Sequence, residues 1–174
     1  MSINNPAAKA LIGATCLALA VTGCTSTVTG TATPATDSTP TATSTDVFVG
    51  LNACQLLDQL NSGQGFNPGE NKSRRNQCIA TKPEFATYGL ILDSVQGLAE
   101  FANTNTNVAD ISVNGRKAMK AGIPTGGCAI AVEVTDHASA LAMVTMSRAS
   151  EDSQACPNAQ AFAERVEPLL PRAQ

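Results

Sequence analysis

The chain has 174 residues and a formal net charge of −3, with 14% charged and 3% aromatic residues. The charged fraction is well below the roughly 25% of average soluble proteins, and it shows no basic excess of the kind that nucleic-acid-binding domains carry. We therefore expect no nucleic-acid partner, and the length suits one domain of ordinary size.

Residues 1–23 have the pattern of an export signal. Their apolar run, Leu11–Val21, is shorter than the ~20 residues of a spanning helix and has the length of a signal-peptide core. It ends in Val21-Thr22-Gly23-Cys24, which resembles the bacterial lipobox. We expect removal of residues 1–23 and lipidation of Cys24 with fatty acyl groups such as palmitate, which would hold the protein at the extracytoplasmic face of the cell membrane. An ordinary secretory cleavage near Ala18-Leu19-Ala20, or an uncleaved anchor, is the alternative.

Residues 24–46 form the predicted tether. After Cys24 the segment contains ten Thr and three Ser, with Pro34 and Pro40 among them. Because it has almost nothing apolar to bury, the sequence predicts a disordered spacer. A flexible coil of this length would span roughly 25 Å, and the composition is also typical of an O-glycosylated stalk.

Residues 47–174 are expected to form a single extracytoplasmic domain. Its first half predicts a helix after the capping residue Asn52, a strand over 85–92, and a second helix from about Ser94. The side chains expected to face the core in these two helices are Ala53, Leu56, Leu57 and Leu60, then Val95, Leu98, Ala99 and Ala102.

The second half of the domain predicts strands and a last helix. Asn114-Gly115 is a strong hairpin signal between strands over 111–113 and 116–121. Alternation over 128–134 and an apolar run over 141–146 predict two further strands, the latter central, with Asp136–Ser139 as the turn between them. A third helix is expected to start after Cys156 with Pro157 first, facing inward through Ala159, Phe162, Ala163 and Val166. The pattern predicts an α+β fold, with an antiparallel sheet of four to five strands and flanking helices.

Four cysteines remain in the domain once Cys16 leaves with the leader and Cys24 carries lipid. An even number in an oxidising compartment implies two disulfides, and three connectivities are possible. We favour Cys54–Cys78 and Cys128–Cys156, each contributing ~3 kcal/mol on the chain-entropy estimate. A zinc site is disfavoured because no pair has C-x-x-C spacing and His137 is the sole histidine.

These features in this order resemble a family of actinobacterial lipoproteins of unknown function, which includes the mycobacterial LprB- and LprC-like proteins. Besides the lipobox and the tether, the matching pieces are Cys54-Gln55-Leu56-Leu57, Cys78, Val113–Ala118, Gly127-Cys128, Cys156 and Leu169-Leu170-Pro171. One departure is Ile79, near where such relatives often have Trp. The resemblance implies an extracytoplasmic lipoprotein and, by analogy, a sheet with flanking helices of the PsbP type; it supplies no catalytic residues.

The sequence contains few candidate catalytic or ligand-binding residues. Asp136, His137 and Ser139 contain the residue types of a hydrolase triad, yet a polar turn also explains them. The Gly-rich segments 62–65 and 125–127 lack the phosphate-binding pattern and its Lys. We therefore expect no catalytic, cofactor-binding or metal-binding residues and no enzyme activity.

Two basic clusters could meet anionic head groups or wall polymers, although solvated surface is the simpler interpretation. Their members are Lys72, Arg74, Arg75 and Lys82, then Arg116, Lys117 and Lys120. The leading hypothesis is a membrane-anchored envelope lipoprotein, a binding or accessory module for an unidentified protein, glycan or lipid. The alternatives are a carrier of lipid or another hydrophobic ligand, with a cavity of ~300–1,000 Å³, and a hydrolase that uses Asp136, His137 and a serine.

Overall fold

The structure, a computed structural model, describes residues 46–124 and 126–172. The predicted leader 1–23, the lipidation site Cys24 and the tether up to residue 45 lie outside the described residues. Within the described ranges, no helix combines the length and the apolar character needed to span a membrane.

The described residues form three α-helices and six β-strands, so the predicted α+β class is confirmed. In chain order the elements are α1 (Ala53–Asn61), β1 (Gln77–Lys82), β2 (Ala86–Asp93), α2 (Leu98–Thr104), β3 (Ala109–Val113), β4 (Arg116–Gly122), β5 (Cys128–Thr135), β6 (Ala138–Met146) and α3 (Ala155–Val166). Short 3₁₀ segments, Ala149–Gln154 and Glu167–Leu169, flank α3.

The six strands form one antiparallel sheet in the order β1-β2-β6-β5-β4-β3. The predicted count of four to five strands is wrong because β1 was missed. Only two small side chains of this edge strand, Cys78 and Ala80, are buried, while Ile79 between them is exposed. The apolar alternation of β1 is therefore too weak to predict a strand from the sequence. Glu70 pairs with the outer edge of β1 at Ile79.

One face of the sheet is covered by α1 and α3, and the main core lies between these helices and the sheet. Leu57, Ile130 and Phe162 are each fully buried there. The predicted pair of disulfides is confirmed: Cys54–Cys78 joins α1 to β1, and Cys128–Cys156 joins β5 to α3. Each helix on this face is thus crosslinked to the sheet that it covers.

Two short sequence signals have the geometry that they predict. The side chain of Asn52 accepts hydrogen bonds from the N–H groups of Cys54 and Gln55, which caps α1. Asn114 and Gly115 have φ angles of 51° and 86°, as a two-residue hairpin turn requires. By contrast, α3 starts at Ala155, two residues earlier than predicted, because a helix leaves its first four N–H groups unpaired and tolerates Pro157 among them.

The predicted second helix starts too early. Residues 94–97 form a bend and a cap, and α2 begins at Leu98 with Leu98 and Phe101 buried, whereas Val95 is 64% exposed. The Asp93 carboxylate accepts the N–H of Val95, and the Ser139 hydroxyl donates to the Gln96 carbonyl. The first hydrogen bond is local and the second is tertiary, and together they hold the bend.

Gly97, the residue that caps α2, lies directly against the β5–β6 turn. A Cβ atom there would overlap the carbonyl oxygen of Asp136, whereas a Cβ atom at Gly122 would meet open space. We therefore expect Gly97→Ala to lower the free energy of unfolding by ~1–3 kcal/mol, the usual cost of overpacking. Gly122→Ala, the matched control, should leave it nearly unchanged. Urea titrations of the two variants measure the difference, and equal midpoints would contradict this account of α2.

Candidate functional site

The second face of the sheet is only partly covered, and an open groove lies on it. The helix α2 covers part of this face, placing Leu98 and Phe101 over Ala121, Ala129 and Ala131. Those three alanines are small enough to let the short helix approach the strands closely. The rest of the face, over β2 and β6, has no helix on it in the described residues.

The groove has a volume of about 270 Å³ and runs between α2 and the strands β2 and β6. Its floor is apolar and its walls come from α2 and the β4–β5 loop. The floor residues are Ile91, Ala129, Leu141 and Met143, and the apolar wall residues are Phe101 and Ile123. Strand alternation explains the floor, because Leu141 and Met143 point away from the face that carries Ala140, Ala142 and Val144.

Met143 is the adaptable part of the floor. Its side chain lies over Gly89 on β2, where a Cβ atom would come within 2.9 Å of the Met143 methyl group. The absence of a side chain at Gly89 therefore makes room for the thioether. An unbranched, polarizable side chain of this kind repacks easily against different apolar surfaces.

The polar groups at the rim of the groove are bonded within the protein. The Ser139 hydroxyl donates to the Gln96 carbonyl at 2.7 Å, and the Asn105 amide donates to the Phe101 carbonyl at 2.9 Å. The Asp93 carboxylate is paired with Arg75, and the Thr104 hydroxyl donates to the Glu100 carbonyl. The part of the groove that lacks a partner within the described residues is therefore its apolar floor.

Glu100 holds the first turn of α2 in place. Its carboxylate accepts the N–H of Gly97 at 2.8 Å, and His137 Nδ1 lies 3.7 Å from the other carboxylate oxygen. Hydrogen bonds from the backbone N–H groups of Glu100 and Gly97 lower the pKa of Glu100, and the neighbouring His137 acts in the same direction. The carboxylate thus remains ionised at the helix N-terminus, where negative charge is favourable.

The candidate triad residues do not form a nucleophile–base pair. The predicted turn Asp136–Ser139 is shorter than expected, because Ser139 belongs to β6 and is buried. Its hydroxyl hydrogen goes to the Gln96 carbonyl, whereas the His137 side chain is 82% exposed and faces Glu100. A nucleophilic serine must instead donate to its base.

The basic clusters are largely engaged in ion pairs. Lys72 pairs with Glu70, Arg75 with Asp93, Lys117 with Glu133, and Arg116 with Glu167. The Arg116 side chain is only 15% exposed and also donates to the Pro171 carbonyl at 2.8 Å. Part of the second cluster therefore holds the C-terminal segment in place through Arg116, and the cluster is not a continuous cationic surface.

Within the described ranges there is no group of three or more His, Cys, Asp and Glu residues placed to hold a metal ion. Among the predicted site residues, Cys24 lies outside these ranges, and Cys54, Cys78, Cys128 and Cys156 form the disulfides. Sequence reasoning missed the groove. The available signal was the run over 141–146, which is apolar on both faces.

Comparison with known proteins finds no relative: no family model, curated protein or solved structure gives a significant match to this chain. The groove must therefore be interpreted from its own geometry.

Ser139 has a structural role that a substitution can separate from a catalytic one. We expect Ser139→Ala to lower the free energy of unfolding by ~1 kcal/mol, because the Gln96 carbonyl loses its donor. Ser147→Ala, at an exposed position, should change it by less than ~0.5 kcal/mol. Thermal melts measure both. An unchanged stability for Ser139→Ala, together with loss of an esterase activity, would contradict the structural role.

Proposed function

We propose that the chain is a lipid-anchored lipoprotein of the cell membrane and that its domain is a binding or accessory module on the extracytoplasmic side. The lipobox at Cys24 and the Thr-rich tether support the anchor. The two disulfides support an oxidising compartment, where such bonds persist. The ordered resemblance to the actinobacterial lipoproteins agrees with both.

The open groove is the observation that carries the binding role. Exposed apolar side chains on folded proteins are usually scattered, and a large contiguous apolar patch marks an interaction site. Ile91, Leu141 and Met143 are only partly covered, and Ile79 on the neighbouring strand is 37% exposed. The ligand site that we propose is therefore this floor together with the flank of α2.

A protein partner that presents an apolar segment fits the groove best. The open part of the face spans β1, β2 and β6, which lie about 4.8 Å apart, so it is broad and shallow. The rim donors of Ser139 and Asn105 are already bonded internally, which leaves few donors for the hydroxyl groups of a glycan. The Met143 thioether can adapt to the side chains of a partner.

A carrier for whole lipid molecules is the weaker alternative. Carrier sites enclose their ligand in cavities of ~300–1,000 Å³, whereas the groove is open and measures about 270 Å³. The opposite face offers no such space in the described residues, because Phe48, Leu57 and Phe162 fill it and are almost fully buried. These observations favour recognition at the surface over transport of a lipid.

The anchor predicts a specific mass. Protein extracted from membranes should begin at Cys24, carry a diacylglycerol and an acyl group, and gain four hydrogen atoms on reduction of its two disulfides. Intact-mass spectrometry measures all three features. Cys24→Ala is the control and should abolish the lipid mass while leaving the reduction step unchanged. A chain that retains residues 1–23 without lipid would contradict the proposal.

Photo-crosslinking tests the groove. Leu141→benzoylphenylalanine in the membrane-anchored full chain should give one discrete protein adduct in intact envelopes. The same probe at Ala161, which is exposed on α3, should not. Met143→Glu should abolish the adduct because it places a charge on the partly exposed floor, and a thermal melt of that variant checks that it remains folded.

Three results would contradict the groove as a protein-binding site. They are an equal adduct from position 161, no adduct from position 141, and an adduct at position 141 with only the mass of a lipid. The last would support the carrier alternative.

A further inference from the structure

Three segments meet at the end of the sheet where the tether joins the domain. The Asn76 side chain donates to the Leu51 carbonyl and accepts the N–H of Ala53, both at 2.9 Å, so it fixes the first residues of the domain beside the loop before β1. Arg75 of the same loop pairs with Asp93 at the end of β2. Asp46 and Val95 line one hollow with these residues.

Exposed apolar side chains are concentrated in these segments. Among the described residues only three large apolar side chains are exposed: Val49 at 76%, Val95 at 64% and Ile79 at 37%. Val49 lies three residues after Asp46, and Val95 lines the hollow with Asp46. The two most exposed ones therefore lie where the chain emerges from its tether.

The loop between these segments presents cations on a preformed backbone. The Asn71 side chain accepts the N–H of Ser73 at 2.8 Å and donates to the Arg75 carbonyl at 2.9 Å, which fixes the loop. Arg74 is exposed on it. Arg75 is 55% exposed, whereas its partner Asp93 is only 9% exposed, so the charge that this pair shows to solvent is positive.

We propose that this end of the domain is a contact surface for an anionic lipid bilayer, with Val49 and Val95 at the head-group level and Arg74 and Arg75 against the phosphates. Apolar side chains combined with basic ones are the general pattern of surfaces that lie on membranes. The contact rests on the proposed anchor at Cys24, since a tether of about 22 residues keeps the surface at high effective concentration near the bilayer.

Two of the three carboxylates at this end are balanced by cations, and the third is held in the backbone turn. Asp46 accepts the N–H of Phe48 at 2.9 Å, and Asp93 is paired with Arg75. Glu70 is exposed but lies 3.1 Å from the Lys72 ammonium group. The side chains left to meet a bilayer are therefore the two valines, Arg74 and the exposed part of the Arg75 guanidinium.

The absence of Trp from the chain permits a direct test. Val95→Trp is made in the full chain and inserted through its anchor into vesicles of phosphatidylcholine with phosphatidylglycerol. We expect its emission to shift to shorter wavelength and to be quenched by brominated lipid. Ser147→Trp lies beyond the opposite end of β6 and should show neither effect. Equal emission and quenching at the two positions would overturn the contact surface.

A matched pair of charge-reversal variants tests whether Arg74 contributes to the contact. Arg74→Glu in the Val95→Trp background should remove most of the quenching on anionic vesicles, whereas Arg148→Glu, the same charge change at the opposite end, should not. Quenching that is unaffected by Arg74→Glu, or equal on pure phosphatidylcholine, would overturn the anionic preference.

Flotation of the same samples separates the two proposals. Protein that fails to float with vesicles would refute the anchor and the contact together. Protein that floats but leaves Trp at position 95 in water would refute the contact alone.

Discussion

The asymmetry of the sheet is the constraint on which the rest of the molecule depends. Two helices, each crosslinked by a disulfide to a different strand, cover one face, and their aromatic and aliphatic side chains complete the core there. A six-stranded sheet of this composition has two apolar faces, however, and among the described residues only α2 lies on the second. Because α2 is seven residues long, it cannot cover the whole face, and the groove is the part that it leaves open.

The position of α2 follows from a small set of contacts around one glycine. Gly97 lies against the backbone of Asp136, Glu100 accepts its N–H, and Ser139 bonds to the preceding carbonyl. Ser139, whose residue type suggested chemistry in the sequence, is thereby explained as a support for the wall of the groove, and the exposed His137 lies beside Glu100. The same turn that lacks a nucleophile–base pair thus positions the surface on which the proposed binding role depends.

Local signals in the sequence predicted those elements whose stability is local. The Asn52 cap, the Asn114-Gly115 turn and the alternation of β5 are each encoded within a few residues, and the structure has all three. The strand β1 was missed and the predicted start of α2 was wrong because both depend on partners outside the segment. Glu70 and β2 pair with β1, and Ser139, 43 residues away, holds the bend before α2. The groove was not predictable for the same reason. Apolar residues on both faces of β6 indicate burial, but only the length of α2 and its place on the sheet determine which of them remain open.

The clamp formed by Asn76 has a mechanical consequence. If the proposed anchor at Cys24 holds the domain, a pull on its N-terminal segment enters the described residues at Asp46. That load passes through Phe48, which is almost fully buried, and through the two hydrogen bonds of the Asn76 amide. From there it reaches α1 and, across the covalent link between Cys54 and Cys78, the edge of the sheet. Traction on the N-terminal end is therefore borne first by a crosslinked corner of the domain.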